Sequence, residues 1–132
     1  MPLRRFLVVD DNAMNRRLVL AVLAHSGCEA TEAETLEAAR AELARARPDA
    51  LLLDIQLQAG DDALAFVREL RAEPATSGLL IVALTAFAMT GDRERFLEAG
   101  FDGYLSKPIG VRTFLSDLEA IAVSRPSRSG AA

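Results

Sequence analysis

Polar residues stand where the apolar runs stop. Asp10 and Asp11 follow the run Phe6 to Val9, Asp54 follows Ala50 to Leu53, Thr85 follows Leu79 to Leu84, and Lys107 comes soon after Gly103 to Leu105. Carboxylates brought close together repel, so each must take a proton or share a cation. With oxygen ligands alone and no cysteine or histidine beside them, the fitting cation is a hard divalent ion, Mg²⁺, rather than zinc. A carboxylate beside such an ion suits phosphoryl transfer, in which it attacks in line while charge on the equatorial oxygens is offset. The Thr85 hydroxyl can donate to one phosphoryl oxygen, and Lys107 can neutralise another as a compact cation. Lys107 is the only lysine in a chain whose other basic side chains, His25 aside, are arginines. Asp54 is therefore the expected phosphoryl acceptor.

Each residue also has a plain reading on its own. An isolated Asp54 would cap the turn after its strand. Asp11 and Asn12 sit where a helix N-cap is needed, and one of the two is expected to serve as that cap. Thr85 alone would merely end a strand, and Lys107 alone would be solvated. Tyr104, three places before the lysine, is first a half-buried packing residue. His25, the single histidine, falls at the end of a helix beside Gly27 and reads as solvated. The chemical reading belongs to the set.

The elements that must hold this set can be placed by pattern. Phe6 to Val9, Ala50 to Leu53 and Leu79 to Leu84 are short unbroken apolar runs, the mark of strands covered on both faces of a parallel sheet. Cys28 to Glu32, after the Ser26-Gly27 break, and Gly103 to Leu105 are weaker strands. Helix-length stretches lie between them, with stripes at Met14, Leu18 and Val22, at Leu36, Ala39, Leu43 and Ala46, and at Ala63, Phe66, Val67 and Leu70. A more polar helix over Met89 to Ala99 should pack through Phe96 and Leu97, and the last helix carries Val111, Phe114, Leu115, Leu118, Ile121 and Ala122. Strict alternation of five strands and five helices predicts a flavodoxin-like (βα)5 fold of the α/β class, a doubly wound parallel sheet. In such sheets ligands bind beyond the carboxyl ends of the strands where strand order reverses. The order 2-1-3-4-5 is taken over as a common one for this class, and it makes the first and third strands neighbours. Asp10, Asp11 and Asp54 then converge, with Thr85 and Lys107 beside them, while the second strand, ending at Ala33, offers nothing comparable.

Length and composition set the bounds. A chain of 132 residues, 51% hydrophobic and 26% charged, is one domain with one core, expected over residues 1–123. Residues 124–132, rich in Ser, Arg, Gly and Ala, are expected to form a flexible tail. A net charge of -4 argues against a nucleic-acid binder. No apolar run approaches the roughly 18 residues of a membrane span, and the start lacks a signal-peptide core, so a cytoplasmic location without membrane contact is expected. The lone Cys28 agrees with a reducing compartment and reads as a packing residue.

The pieces Asp10-Asp11, Asp54, Thr85-Ala86 and Lys107-Pro108, with Tyr104, resemble the receiver domain of two-component response regulators, the CheY-like superfamily, over about residues 5 to 123. The stretches Asp-Asp-Asn-Ala-Met-Asn-Arg from Asp10 and Thr-Ala-Phe-Ala-Met-Thr-Gly-Asp from Thr85 are most similar to single-domain cell-cycle receivers and to receivers of hybrid histidine kinases. The resemblance implies direct Mg²⁺ ligation by Asp11, help from Asp10 through water, and a further ligand in the Gln56 backbone carbonyl. It implies that Asp54 takes its phosphoryl group from a histidine kinase or a histidine phosphotransfer protein. Thr85 then moves toward the phosphoryl group and Tyr104 turns inward, reshaping the face of the fourth helix, fifth strand and fifth helix for a downstream protein. It further implies a cis bond at Lys107-Pro108, and control of water access to the phosphoryl group by Gln56 and Phe87, the bulk of Phe87 predicting slow hydrolysis. The loop Asp54-Ile-Gln-Leu-Gln-Ala-Gly-Asp-Asp departs from the family, with Gln58 where a proline is usual and Gly60 early.

Two other classes compete. An aspartyl-nucleophile phosphatase needs a second acid two residues beyond its nucleophile, and that place holds Gln56. A receiver-like scaffold that is never phosphorylated would not need the full acidic, hydroxyl and lysine set. A non-enzymatic switch is the expected function, either free-standing or cut from a hybrid kinase or larger regulator.

Overall fold

The computed structural model describes residues 3–55, 62–85, 92–106 and 112–124. Five strands alternate with five helices: β1 (Arg5–Val9), α1 (Ala13–His25), β2 (Glu29–Ala33), α2 (Leu36–Arg45), β3 (Ala50–Asp54), α3 (Ala63–Ala72), β4 (Leu80–Thr85), α4 (Asp92–Ala99), β5 (Gly103–Ser106) and α5 (Phe114–Ser124). The strands are all parallel and stand in the order β2-β1-β3-β4-β5. The expected flavodoxin-like sheet is what forms.

Alternation along the strands feeds two cores. Leu7, Val9, Leu51, Leu53, Ile81 and Ala83 face one side, where Ala39, Phe66, Val67, Leu70 and Phe96 cover them. Phe6, Val8, Ala50, Leu52, Leu80, Val82 and Leu84 face the other, under Val19, Val22 and Leu23 of α1 and Phe114 and Leu118 of α5. Burial on both faces is why β1, β3 and β4 read as unbroken apolar runs. A side chain of this size contributes about 1.5–3 kcal/mol when fully buried, so the sheet is the stable part that carries the site.

The helices start where side chains can take up their free amide groups. Asn12 Oδ1 accepts from the Asn15 amide at 3.0 Å, Thr35 Oγ1 from Ala38 at 3.1 Å and Asp62 Oδ1 from Ala65 at 3.1 Å. Each cap stabilises its helix by about 1 kcal/mol. Of the two candidates for the first cap, Asn12 takes the role.

Two stripes differ from the pattern expected. On α1 the buried face is Val19, Val22 and Leu23, whereas Met14 and Leu18 are 75% and 43% exposed. Residues 18–23 are apolar at every position, so periodicity could not choose a face, and contact with the sheet did. On α2, Ala46 lies beyond the helix and is exposed, and only Ala39 is fully buried, with Leu36 and Leu43 at the core margin. The α3 stripe is buried as expected, and α4 packs chiefly through Phe96 and Ala99, with Leu97 half-buried. Residues 89–91 and Val111, expected in the last two helices, lie outside the described residues, as do 125–132 of the expected tail; Ser124 still belongs to α5.

An ion pair that the sequence did not announce ties the far end of the sheet together. Arg71, at the end of α3, donates to the carbonyls of Gly100 (2.8 Å), Ser77 (2.9 Å) and Leu79 (2.6 Å) and to Asp102 Oδ2 (3.0 Å). Asp102 Oδ2 also accepts from the Ile81 amide at 2.8 Å, which links the turn before β5 to β4. Gly100 has φ of 119°, and a Cβ there would meet Arg71 Cγ at 2.8 Å, so both conformation and space require glycine. Cys28 is a packing residue as expected. Its Sγ lies 3.6 Å from the Leu3 carbonyl, and burial, with help from Glu119 and opposition from Arg4, pushes the thiol up from its ordinary value.

Candidate functional site

The carboxyl ends of β1, β3 and β4 meet at one edge of the sheet. Val9 pairs with Leu53, which brings Asp10, one residue on, level with Asp54. Asp54 itself pairs with Leu84, so Thr85 ends the neighbouring strand one step further. Asp10, Asp54 and Thr85 are all buried, whereas Asp11 is half-buried. One carboxylate oxygen from each of Asp10, Asp11 and Asp54 lies within 4.8 Å of the other two, the one such group among the described residues.

The donor set fits a hard divalent cation. Three carboxylates taken largely out of water repel strongly, and a divalent cation among them removes that cost. The donors are all hard oxygens, they lie close enough to share one ion, and Asp11 leaves the site open toward solvent. These features suit Mg²⁺, which keeps several waters and prefers a few carboxylates to a closed cage.

The loop that carries two of the acids is held by main-chain bonds. The Asp10 amide donates to the Ala33 carbonyl at 3.2 Å, and Asp10 Oδ1 accepts from the Asn12 amide at 2.9 Å. Arg16 Nη1 donates to the Asp10 carbonyl at 2.7 Å, while its Nε donates to Glu32 Oε1 at 2.7 Å. The second strand, ending at Ala33, adds no side chain to the acidic cluster, as expected, but it braces the loop through the Ala33 carbonyl and through Glu32. Pattern reading missed this support because its acceptors are a main-chain carbonyl and an acid far along the chain. No signal in the sequence marked Arg16, because the apolar run that follows it on α1 does not show which face meets the sheet.

Tyr104 lies on β5 beside Ala83 of β4, half-buried at the edge of the core under α4. Its ring meets that of Phe96 edge-on, with centroids 5.8 Å apart and an interplanar angle of 68°. Ile81 and Ala83 face that core, so Thr85, two further on, continues the same face and shares it with Tyr104. His25 is exposed at the end of α1, away from the acids, in accord with a solvated role. Gln56, Phe87, Lys107 and Pro108 lie outside the described residues.

A family profile for the response regulator receiver domain matches residues 6–119, most of the chain. The chain belongs to that family. Receivers are signalling modules of two-component systems, and this one is similar to the polar-differentiation response regulator DivK of Brucella anthropi, 36% identical over 118 residues that cover 86% of this chain and 92% of DivK. It is also 36% identical over 118 residues to the phosphate regulon transcriptional regulatory protein PhoB of Escherichia coli, covering 89% of this chain. The chain spans about half the length of that regulator, 51%. Among solved structures, the receiver domain of the sensor histidine kinase PA1611 of Pseudomonas aeruginosa superposes with a TM-score of 0.79 at 34% identity, covering 90% of this chain and 98% of that one. That structure holds a magnesium ion coordinated in its active-site cleft. The chemotaxis protein CheY4 of Vibrio cholerae gives a TM-score of 0.83 at 25% identity, covering 90% and 98%. Among the described residues of this receiver, no helix is long and apolar enough to cross a membrane.

Proposed function

We propose that this receiver is a phosphorylation switch in which Asp54 takes a phosphoryl group from the phosphohistidine of a histidine kinase or histidine phosphotransfer protein. The observation that carries the reading is the cluster of Asp10, Asp11 and Asp54, with carboxylate oxygens within 4.8 Å at the strand ends. An Asp54 carboxylate oxygen forms the new O–P bond as the P–N bond of the donor breaks, and the imidazole leaves with its proton. Bound Mg²⁺ would supply charge neutralisation on the phosphoryl oxygens. Asp11, half-buried, is suited to direct ligation. Asp10 already accepts from the Asn12 amide, which suits a role through water. The Gln56 carbonyl would be a further ligand, and the side chains of Gln56 and Phe87 would limit the approach of hydrolytic water.

Thr85 donates its hydroxyl to one phosphoryl oxygen and Lys107 neutralises another. Because Thr85 and Tyr104 share a face of the sheet, movement of Thr85 toward the phosphoryl group makes room beside the Tyr104 ring and alters the α4, β5 and α5 surface. A protein partner reads that change. The exposed apolar side chains of Met14 and Leu18 on α1, just beyond the acidic loop, favour a protein donor that docks there over a free small molecule alone. Residues 1–124 make up the switch, 125–132 serve as a tail or linker, and the domain works in the cytoplasm without nucleic acid. Whether it acts alone or within a hybrid kinase, its role is the same. Gln56 at the place where a phosphatase keeps its general acid favours a stored phosphoryl group over turnover.

The test is incubation with Mg²⁺ and a small phosphodonor, followed by mass measurement of the wild type and Asp54→Asn. The wild type is expected to gain one phosphoryl group, and Asp54→Asn none. Equal gain by both, or none by either, would sink the reading.

A further inference from the structure

The opening motif Asp-Asp-Asn-Ala-Met-Asn-Arg contains one residue that the proposed chemistry leaves unused. Arg16 lies on the inner face of α1 with its side chain only 13% exposed. Nη1 reaches the Asp10 carbonyl at 2.7 Å and Nε reaches Glu32 on β2 at 2.7 Å. The next residue on β2, Ala33, accepts the Asp10 amide. Both main-chain polar groups of Asp10 are thereby tied to β2, one directly and one through Arg16.

We infer that Arg16 is a positioning residue for the acidic cluster. It holds the turn between β1 and α1 so that the Asp10 and Asp11 carboxylates stand against Asp54 in the spacing a metal ion needs. The inference rests on the proposed reading of that cluster as a Mg²⁺-dependent phosphoacceptor site.

Charge and geometry make opposite demands here. A bare cation beside a cation site would weaken metal binding by repulsion, and its removal would tighten it. Glu32 bound at Nε offsets the Arg16 charge, so the pair presents little net field to the cluster. What remains is the shape of the guanidinium, whose planar fork aims two donors at acceptors on two different elements. A lysine keeps the charge and has no such fork. Arg16→Lys should therefore lose the positioning while leaving the formal charge unchanged.

The experiment is calorimetric titration of the whole chain with Mg²⁺ alone, for the wild type, Arg16→Lys and Arg16→Gln. Arg40→Lys serves as the control, because Arg40 pairs with Glu69 and Glu73 between α2 and α3, remote from the cluster. The urea midpoint of each metal-free protein is measured alongside, and each variant is titrated where circular dichroism shows it folded. Loss of a group that orients a metal ligand costs about 10- to 100-fold in affinity. Arg16→Lys and Arg16→Gln are expected to weaken Mg²⁺ binding by about 10-fold or more, and Arg40→Lys to leave it unchanged. A wild-type dissociation constant in Arg16→Lys, with or without a lower urea midpoint, would mean that Arg16 merely bolts α1 to β2, and would overturn the inference. Tighter binding in Arg16→Gln would overturn it too, by showing that charge dominates. A wild type with no measurable affinity for Mg²⁺ would instead bring down the reading of the cluster itself, and this inference with it.

Discussion

Replacing Asp54 by asparagine should make the metal-free protein more stable, although it removes the proposed reactive group. Two carboxylates whose oxygens lie within 4.8 Å repel by at least about 3.5 kcal/mol at an effective dielectric constant of about 20. Asp54 takes part in two such pairs, with Asp10 and with Asp11. Water at the half-exposed Asp11 and salt ions reduce the effect, so the net gain should be about 1–3 kcal/mol. Urea denaturation followed by circular dichroism, in a chelator at low ionic strength and neutral pH, should show the Asp54→Asn midpoint higher by roughly 1 M. Added Mg²⁺ should close the gap, because the ion stabilises the wild type by about 2.7 kcal/mol at a hundred times its dissociation constant. The variant, lacking one anionic ligand, gains less. Higher monovalent salt should narrow the difference measured in chelator. The reasoning would be refuted if Asp54→Asn were no more stable than the wild type without metal, or if the gap were the same with and without Mg²⁺.

Arg71→Ala should cost about 3–5 kcal/mol, because it strands the buried Asp102 carboxylate and takes away the donor shared by three carbonyls. Asp102→Asn should cost less, since its amide oxygen still accepts from the Ile81 amide and Arg71 keeps those carbonyls; urea midpoints that rank the two variants the other way would contradict this account. For the phosphorylated protein, Phe87→Ala should speed loss of the phosphoryl group by admitting water, as read from the mass spectrum over time. An unchanged decay would remove Phe87 from any role in phosphoryl lifetime.

The reach of pattern reading can be judged from single residues. The stripe of α3 was legible because Arg68, Glu69 and Arg71 around Leu70 fix the phase of the helix, and Ala63, Phe66, Val67 and Leu70 are all buried. The stripe of α1 was not, because an unbroken apolar run from Leu18 to Leu23 carries no phase. Asp10, Asp11, Asp54 and Thr85 were legible as a set because each falls where an apolar strand stops, and the parallel register then brings the acids together. Arg16 escaped because its partners are a carbonyl and an acid sixteen residues further along. Arg71 and Asp102 escaped for the same reason, being separated by thirty-one residues.

By itself the sequence determined the local features: strands where apolar runs were unbroken, helices where apolar residues recurred every three or four places, and polar residues at the strand ends. These follow from the conformational periods of the backbone and need no knowledge of what lies across the fold. Strand order, the buried face of α1, the choice of Asn12 as the cap and the bracing of Asp10 from β2 were decided only by tertiary structure. The physical reason is that each depends on which groups meet across the sheet. Hydrogen bonds to main-chain carbonyls are open to any residue, so composition leaves no trace of them until the chain has folded.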